Sequence, residues 1–223
     1  MTGIDQLSAR KTAISFMFFF AFLHIGCEGT EVVLALPSSD SDAADNDHDI
    51  KDTSTFQGGE DDVTDCGDVT WEANVYINYA PQLKMLEGVT YIKGCLQIQN
   101  LNDSDLKYFT ILKDLRCVDR YIAVNDIDKL SDLDVFSNLH TVGGDLFIQN
   151  NKALTDIDGI HNIQNLGGNA LYITDNYALP TCAAQDLYAE ISDLGWEGTP
   201  CIVDNYSDAC DNLSRGCADE YHW

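Results

Sequence analysis

The sequence predicts a mainly β solenoid, in which short strands stack on one another and a C-terminal helix covers the last of them. The first observation is a repeat. Leu146-Phe147-Ile148-Gln149-Asn150-Asn151, followed by Leu154, Ile157, Ile160, Ile163 and Leu166, returns about 25 residues later as Leu171-Tyr172-Ile173-Thr174-Asp175-Asn176, followed by Leu179; such a step marks a solenoid. The second is alternation: Leu146 and Ile148, or Leu171 and Ile173, share one face of a strand, and their neighbours share the other. A unit this short cannot bury its own apolar side, so copies must stack. The third is a helical pattern after Pro180. Ala184, Leu187, Tyr188, Ile191 and Leu194 fall on one face and Gly195 stops it, which predicts a helix over 181–194 as a lid for the exposed last turn, with Trp196 in the same cap.

Sliding the frame L-x-I-x-x-N-x-x-L towards the N-terminus finds the earlier rows. Row one holds Val75, Ile77 and Leu83, then Leu86, Val89 and Ile92. Row two holds Leu96 and Ile98, then Leu106, Phe109, Leu112, Leu115 and Val118, with an insertion of about two residues around Asn102-Asp103. Row three holds Ile122, Val124 and Leu130, then Leu133, Phe136, Leu139 and Val142. About five strands, beginning near Val69, are therefore expected. Asn151 and Asn176 at the strand ends suit tight turns, since the amide bonds local backbone and tolerates left-handed geometry. Ala80, Leu101 and Ile127 stand there in rows one to three, so the early turns must satisfy their backbone differently. Gly143-Gly144 and Gly167-Gly168 precede their strands, where a side chain would collide as the chain turns a corner.

The frame L-x-I-x-x-N-x-x-L-x-x-L-x-G-[LIV]-x-x-[LIV]-x-x-[VL]-x-G, with cysteines at its ends, is similar to the receptor L-domain family over roughly Cys66 to Cys210. That family is related to leucine-rich repeats and occurs in insulin- and epidermal-growth-factor-receptor ectodomains and in fungal and bacterial surface proteins. The resemblance implies a right-handed β-helix solenoid and a protein that binds or scaffolds rather than catalyses. No kinase region or furin-like module accompanies it, so a growth-factor receptor is not implied.

The flanks read differently. Arg10 and Lys11 precede an apolar run of about 14 residues from Thr12 to Ile25, short for a membrane span and suited to a signal peptide, which is assigned to 1–27. Leu23-His24-Ile25-Gly26-Cys27 resembles the lipobox of bacterial lipoproteins and implies acylation of Cys27 and a lipid anchor, the one route to a membrane. His24 departs from that motif, and cleavage after Val33-Leu34-Ala35 is the competing reading. Residues 28–65 form an acidic linker too poor in aliphatic side chains to offset its ordering entropy. Asp45-Asn46-Asp47-His48-Asp49 does not complete a calcium loop, because Ile50 replaces the turn glycine and Phe56 the closing glutamate; no metal or cofactor is expected. A Cys-containing tail, 211–223, follows the domain of 66–210.

A formal charge of −25 on 223 residues excludes nucleic-acid binding by phosphate neutralisation and keeps the chain soluble. Eight cysteines with no C-x-x-C pair suggest disulfides in an exported chain rather than metal thiolates. With Cys27 removed or acylated an odd set remains: Cys66, Cys95, Cys117, Cys182, Cys201, Cys210 and Cys217. Proximity suggests Cys66 or Cys117 with Cys95, and Cys182 with Cys201 or Cys210. Asn-x-Ser sequons stand at Asn102, Asn205 and Asn212.

No catalytic residue is assigned: His140 and His161 lie in separate rows without a nucleophile context. The expected functional surface is the outer strand face, with Tyr76, Gln97, Ala123, Phe147 and Tyr172 in one column and Asn78, Gln99, Asn125, Gln149 and Thr174 in the other. Rings beside amides on a rigid sheet suit a protein or glycan ligand. The expected protein is thus a non-enzymatic, extracytoplasmic binding or adhesion module, secreted or on the cell surface; the alternatives are an envelope or matrix protein without a ligand and, less in keeping with the pattern, a sugar-active enzyme.

Overall fold

The computed structural model describes residues 65–217. The expected leader with Cys27, the acidic linker up to residue 64 and residues 218–223 of the tail lie outside the described residues. Two parallel sheets make up the fold. The first contains β1 (Thr70–Trp71), β3 (Tyr91–Ile92), β5 (Cys117–Val118), β7 (Thr141–Val142) and β9 (Asn165–Leu166) in that order. The second contains β2 (Val75–Ile77), β4 (Leu96–Gln99), β6 (Ile122–Asn125), β8 (Leu146–Gln149), β10 (Ala170–Thr174) and β11 (Thr199–Val203). Up to β10 the chain therefore alternates between the sheets, giving each one short strand in turn. This arrangement is mainly β and compatible with a parallel solenoid.

The register of the second sheet follows the repeat frame. Leu96 pairs with Ile122, Ile122 with Leu146 and Leu146 with Leu171, while Ile98, Val124, Ile148 and Ile173 form the next inward row. All eight side chains are buried, and each contributes about 1.5–3 kcal/mol by leaving water. Between each strand of the second sheet and the next strand of the first lies a short helical stretch. These are α1 (Ala80–Leu83), α2 (Asp103–Leu106), three-residue 3-10 turns at Lys84–Leu86, Asp134–Phe136 and Asp158–Ile160, and a longer one at Phe109–Asp114. They deliver Leu83, Leu86, Phe109, Leu112, Phe136 and Ile160 to the same core, joined by Leu133 and Ile157 from the positions just before two of the turns. Phe109 meets Phe136 edge-on at 6.3 Å.

The glycine pairs behave as expected. A Cβ on Gly143 would stand 2.2 Å from the Asp119 carbonyl oxygen, and one on Gly167 would stand 2.5 Å from that of Gly143; neither obstacle is a flexible side chain.

The turn chemistry differs from the expectation. Left-handed backbone falls one residue before the frame position that Leu101, Ile127, Asn151, Asn176 and Asn205 share, at Asn100, Asp126, Asn150, Asp175 and Asp204. Asn151 and Asn176 are instead buried and bridge successive turns. Asn151 donates from Nδ2 to the Val124 carbonyl at 2.8 Å, while its Oδ1 accepts the Ile127 N–H at 3.1 Å. Asn176 repeats this with Ile148 O at 2.9 Å and the Asn151 N–H at 3.0 Å, and Asn205 extends the ladder to Ile173 O at 2.7 Å and the Asn176 N–H at 3.2 Å. Where the frame lacks asparagine, other side chains take the duty. Gln82 Oε1 accepts the Asn78 N–H at 2.8 Å, and Asp105 accepts the Asn102 N–H at 3.3 Å.

The C-terminal end also corrects the expectation. α3 (Thr181–Asp193) buries Thr181, Ala184, Leu187 and Ile191, and Gly195 ends it at φ +96°. Trp196 packs edge-on against Tyr188 and donates from Nε1 to the Gly168 carbonyl at 2.8 Å. The stack continues beyond this helix, however, since β11 adds a sixth strand to the second sheet, pairing Ile202 with Ile173. Ile202 bridges antiparallel to Leu213, so residues of the expected tail close the sheet edge, where open N–H and C=O groups would invite another strand. Cys66 joins Cys117 rather than Cys95, Cys182 joins Cys210, and Cys201 joins Cys217. Each staple is worth roughly 2–4 kcal/mol.

Replacing Asn176 by Ala strands the Ile148 carbonyl and the Asn151 N–H in the interior, so unfolding stability should drop by about 3–5 kcal/mol. Asn150→Gly, at a left-handed position that glycine adopts freely, should stay within about 1 kcal/mol of the parent. Urea midpoints at unchanged slope measure both.

Candidate binding face

The outer face of the six-stranded sheet is where the sequence places a ligand surface, and the columns form in register. Tyr76 pairs with Gln97, Gln97 with Ala123, Ala123 with Phe147 and Phe147 with Tyr172, and β11 extends the column to Cys201. Gln99, Asn125, Gln149 and Thr174 form the second, with Val203 beyond them. Asn78 follows β2 at the head of that column and is exposed.

Exposure divides this face. Phe147 is 2% and Tyr172 4% exposed, and with Ala123 and Cys201 they make a second apolar cluster against Tyr121, Ala170, Val203 and Cys217. Tyr121 meets Phe147 edge-on at 6.0 Å, and Phe147 lies 5.5 Å from Tyr172. The Tyr172 hydroxyl donates to the Gly216 carbonyl, and the Cys201–Cys217 disulfide holds that segment beside it. A ring at 2% exposure cannot stack on an arriving ligand unless something moves away first. Asn125, Gln149 and Thr174 are buried too; Gln149 Nε2 donates to Thr174 Oγ1 at 3.2 Å, while Asn125 Oδ1 and Gln149 Oε1 have no hydrogen-bond partner.

The N-terminal part of the face is open. Tyr76 is 51% and Tyr79 52% exposed, Asn78 is exposed, and Gln97 and Gln99 are half-buried beside them. The amides are held in fixed directions: Gln97 Nε2 donates to Gln99 Oε1 at 3.0 Å, and the Tyr121 hydroxyl donates to Gln97 Oε1 at 3.2 Å. Burial, with the Tyr76 phenol close by, pushes the Tyr121 hydroxyl up to about 12.

Other chemistry-bearing groups stand apart from this patch. His140 contacts Thr141 Oγ1 at 3.1 Å and the Asp65 carbonyl at 3.2 Å, and His161 contacts Glu190 at 2.7 Å. Asp208 lies with Cys182 and Cys210, but both sulfurs are in one disulfide. Its carboxylate accepts the N–H groups of those two residues at 2.9 Å each, which holds it below the usual carboxylate range. Of the sequons, Asn102 and Asn212 are exposed, whereas Asn205 spends its Nδ2 on the ladder. One feature was missed in the sequence: a groove of about 420 Å³ between the second and third helical stretches, floored by Leu106, Phe109, Leu130 and Val135 with Lys113 and Asp132 at its rim. The insertion at Asn102-Asp103 was its signal, because α2 and the long 3-10 turn make that row wider than the next. No protein-family model matches the chain, and no curated protein proves similar to it.

A phenol held neutral by burial stabilises the fold fully below its unfolded pKa near 10 and loses that contribution as pH rises through the folded value, because the unfolded chain releases the proton first. Stability should therefore decline from about pH 10 towards 12, and Tyr121→Phe should flatten part of that decline. Urea unfolding at stepped pH, with phenolate absorbance followed in parallel, tests this.

Proposed function

We propose that this chain is a receptor L-domain-like protein, a right-handed β-helix solenoid, exported to work as a non-catalytic binding module for a glycan or an extended peptide. The observation that carries the reading is the open patch of Tyr76, Asn78 and Tyr79 beside Gln97 and Gln99. Its rings offer apolar area at small entropic cost and its amides offer directed hydrogen bonds; Tyr76, Gln97 and Gln99 stand on paired strands, and Asn78 and Tyr79 on the turn that leads from β2 into α1. Three disulfides are consistent with an extracytoplasmic location. Phe147 and Tyr172, first expected in the ligand face, serve in this reading as the packed support under its C-terminal half.

The test is a comparison of the parent with Tyr76→Ser/Tyr79→Ser on glycan and peptide arrays and on intact cells. Both side chains are more than half exposed, so the double variant should unfold at the parent's temperature and bind at least tenfold more weakly. A folded variant that binds like the parent removes this patch; a parent that binds nothing in any format favours the envelope or matrix role.

A further inference from the structure

The groove beside Phe109 lies among the helical stretches, apart from the sheet face that carries the open tyrosines. Phe109 and Leu130 in its floor belong to the core, while Leu106 and Val135 are half-buried. At about 420 Å³ it falls within the range of roughly 300–1,000 Å³ that suits an organic ligand or a large side chain. Its walls are tied together. Asn138 donates from Nδ2 to the Lys113 carbonyl at 2.7 Å, which fastens the long 3-10 turn of row two to row three, and Asn162 makes the same bond to Ser137 one row on. The Thr155 N–H adds a bond to the Ser131 carbonyl at 2.9 Å. A groove held this way loses little freedom when it is filled.

Charge decides what fills it. The row-three wall carries Asp132 and Asp134, and the same pair returns one row later as Asp156 and Asp158. The first of each pair is spent on local structure: Asp132 Oδ1 accepts the Asp134 N–H at 3.3 Å, and Asp156 Oδ1 accepts the Asp158 N–H at 2.7 Å. Asp134 and Asp158 are exposed and enter no ion pair among the described residues. Lys113, on the other wall, lies 3.7 Å from Asp114, and Lys152 lies 2.9 Å from Asp128. That leaves exposed Lys129 as the cation of this stretch, against the four carboxylates. An apolar floor is thus bordered along one side by uncompensated negative charge.

We infer that this groove docks an extended, basic segment of a partner protein, which sets one apolar side chain against Phe109 and Leu130 and lays lysine or arginine along Asp134 and Asp158. Rows stand about 4.8 Å apart, and an extended chain rises about 3.3 Å per residue with side chains alternating. A cation about two residues from the anchor therefore points to the same side and reaches the first carboxylate. A second copy of this chain, at a formal charge of −25, meets repulsion at this stripe, and so does an anionic membrane surface.

Fluorescence anisotropy on the exported protein tests this with labelled, Ser/Gly-rich peptides of about ten residues. One series carries a single Phe, Leu or Trp followed by two lysines, and the other has glutamate in place of lysine. The lysine series should bind saturably, at least tenfold more tightly than the glutamate series, and more weakly as salt is added. Asp134→Asn/Asp158→Asn should lower that affinity at least fivefold. Thr110→Trp, which sets a ring into the groove from an exposed wall position, should abolish binding, and both variants should unfold at the parent's temperature. Tyr76→Ser/Tyr79→Ser should bind these peptides as the parent does, which separates the groove from the open tyrosine patch. Absent or equal binding of the two series, undiminished binding by either groove variant, or loss of binding in the tyrosine variant each overturns the assignment. So does self-association of the parent in sedimentation that Thr110→Trp dissolves, since the groove would then hold a second copy.

Discussion

No single turn of this chain can enclose its own aliphatic side chains, and the rest of the structure follows from that constraint. Leu146 and Ile148 are buried only because Ile122 and Val124 lie on one side and Leu171 and Ile173 on the other. Stability is therefore shared between neighbours, and the two ends, which have a neighbour on one side only, are its weak points. The covalent staples are placed accordingly. Cys66–Cys117 binds the N-terminal stretch to the first sheet, Cys182–Cys210 binds the start of the helix to the segment after β11, and Cys201–Cys217 binds that closing segment to β11.

Tight stacking creates a polar problem at every turn, since backbone groups turned towards the core have no water to meet them. The asparagine ladder answers it by tying each turn to the one before, each amide donating to a carbonyl of the neighbouring strand and accepting an N–H from the turn that follows that strand. Such a bond forms only if the turns are in register, so the ladder specifies the stack as well as stabilising it. Gln82 and Asp105 do a more local version of the task within their own turns, which leaves the early turns free to differ in length. The groove beside Phe109 is a consequence of that freedom.

The same sheet presents two kinds of surface. Over its C-terminal half the outward column is packed into a second small core, while over its N-terminal half it stays open around Tyr76 and Gln97. A recognition surface supported from behind by a rigid stack and from one side by packed rings loses little freedom on binding, which is the physical basis for reading the open half as the interaction surface.

The sequence by itself determined the inward rows, the glycine corners, the helix after Pro180, to within one residue of its end at Asp193, and the alternation of the outer columns, because each depends on a local period or a local steric limit that residue type displays directly. It also carried a signal that went unread: Ile202-Val203-Asp204-Asn205 repeats Ile173-Thr174-Asp175-Asn176, but the 29 residues from Leu171 to Pro200 hide a sixth strand behind the helix. Tertiary structure alone decided which outward residues meet solvent. Phe147 and Tyr76 occupy equivalent places in the repeat, and only the segment returning through Gly216 and Cys217 buries the column on one side of the sheet and not on the other. That closure joins residues 44 apart in the chain. A pattern with a period near 25 cannot encode it, since burial of an outward side chain depends on what arrives from outside the repeat.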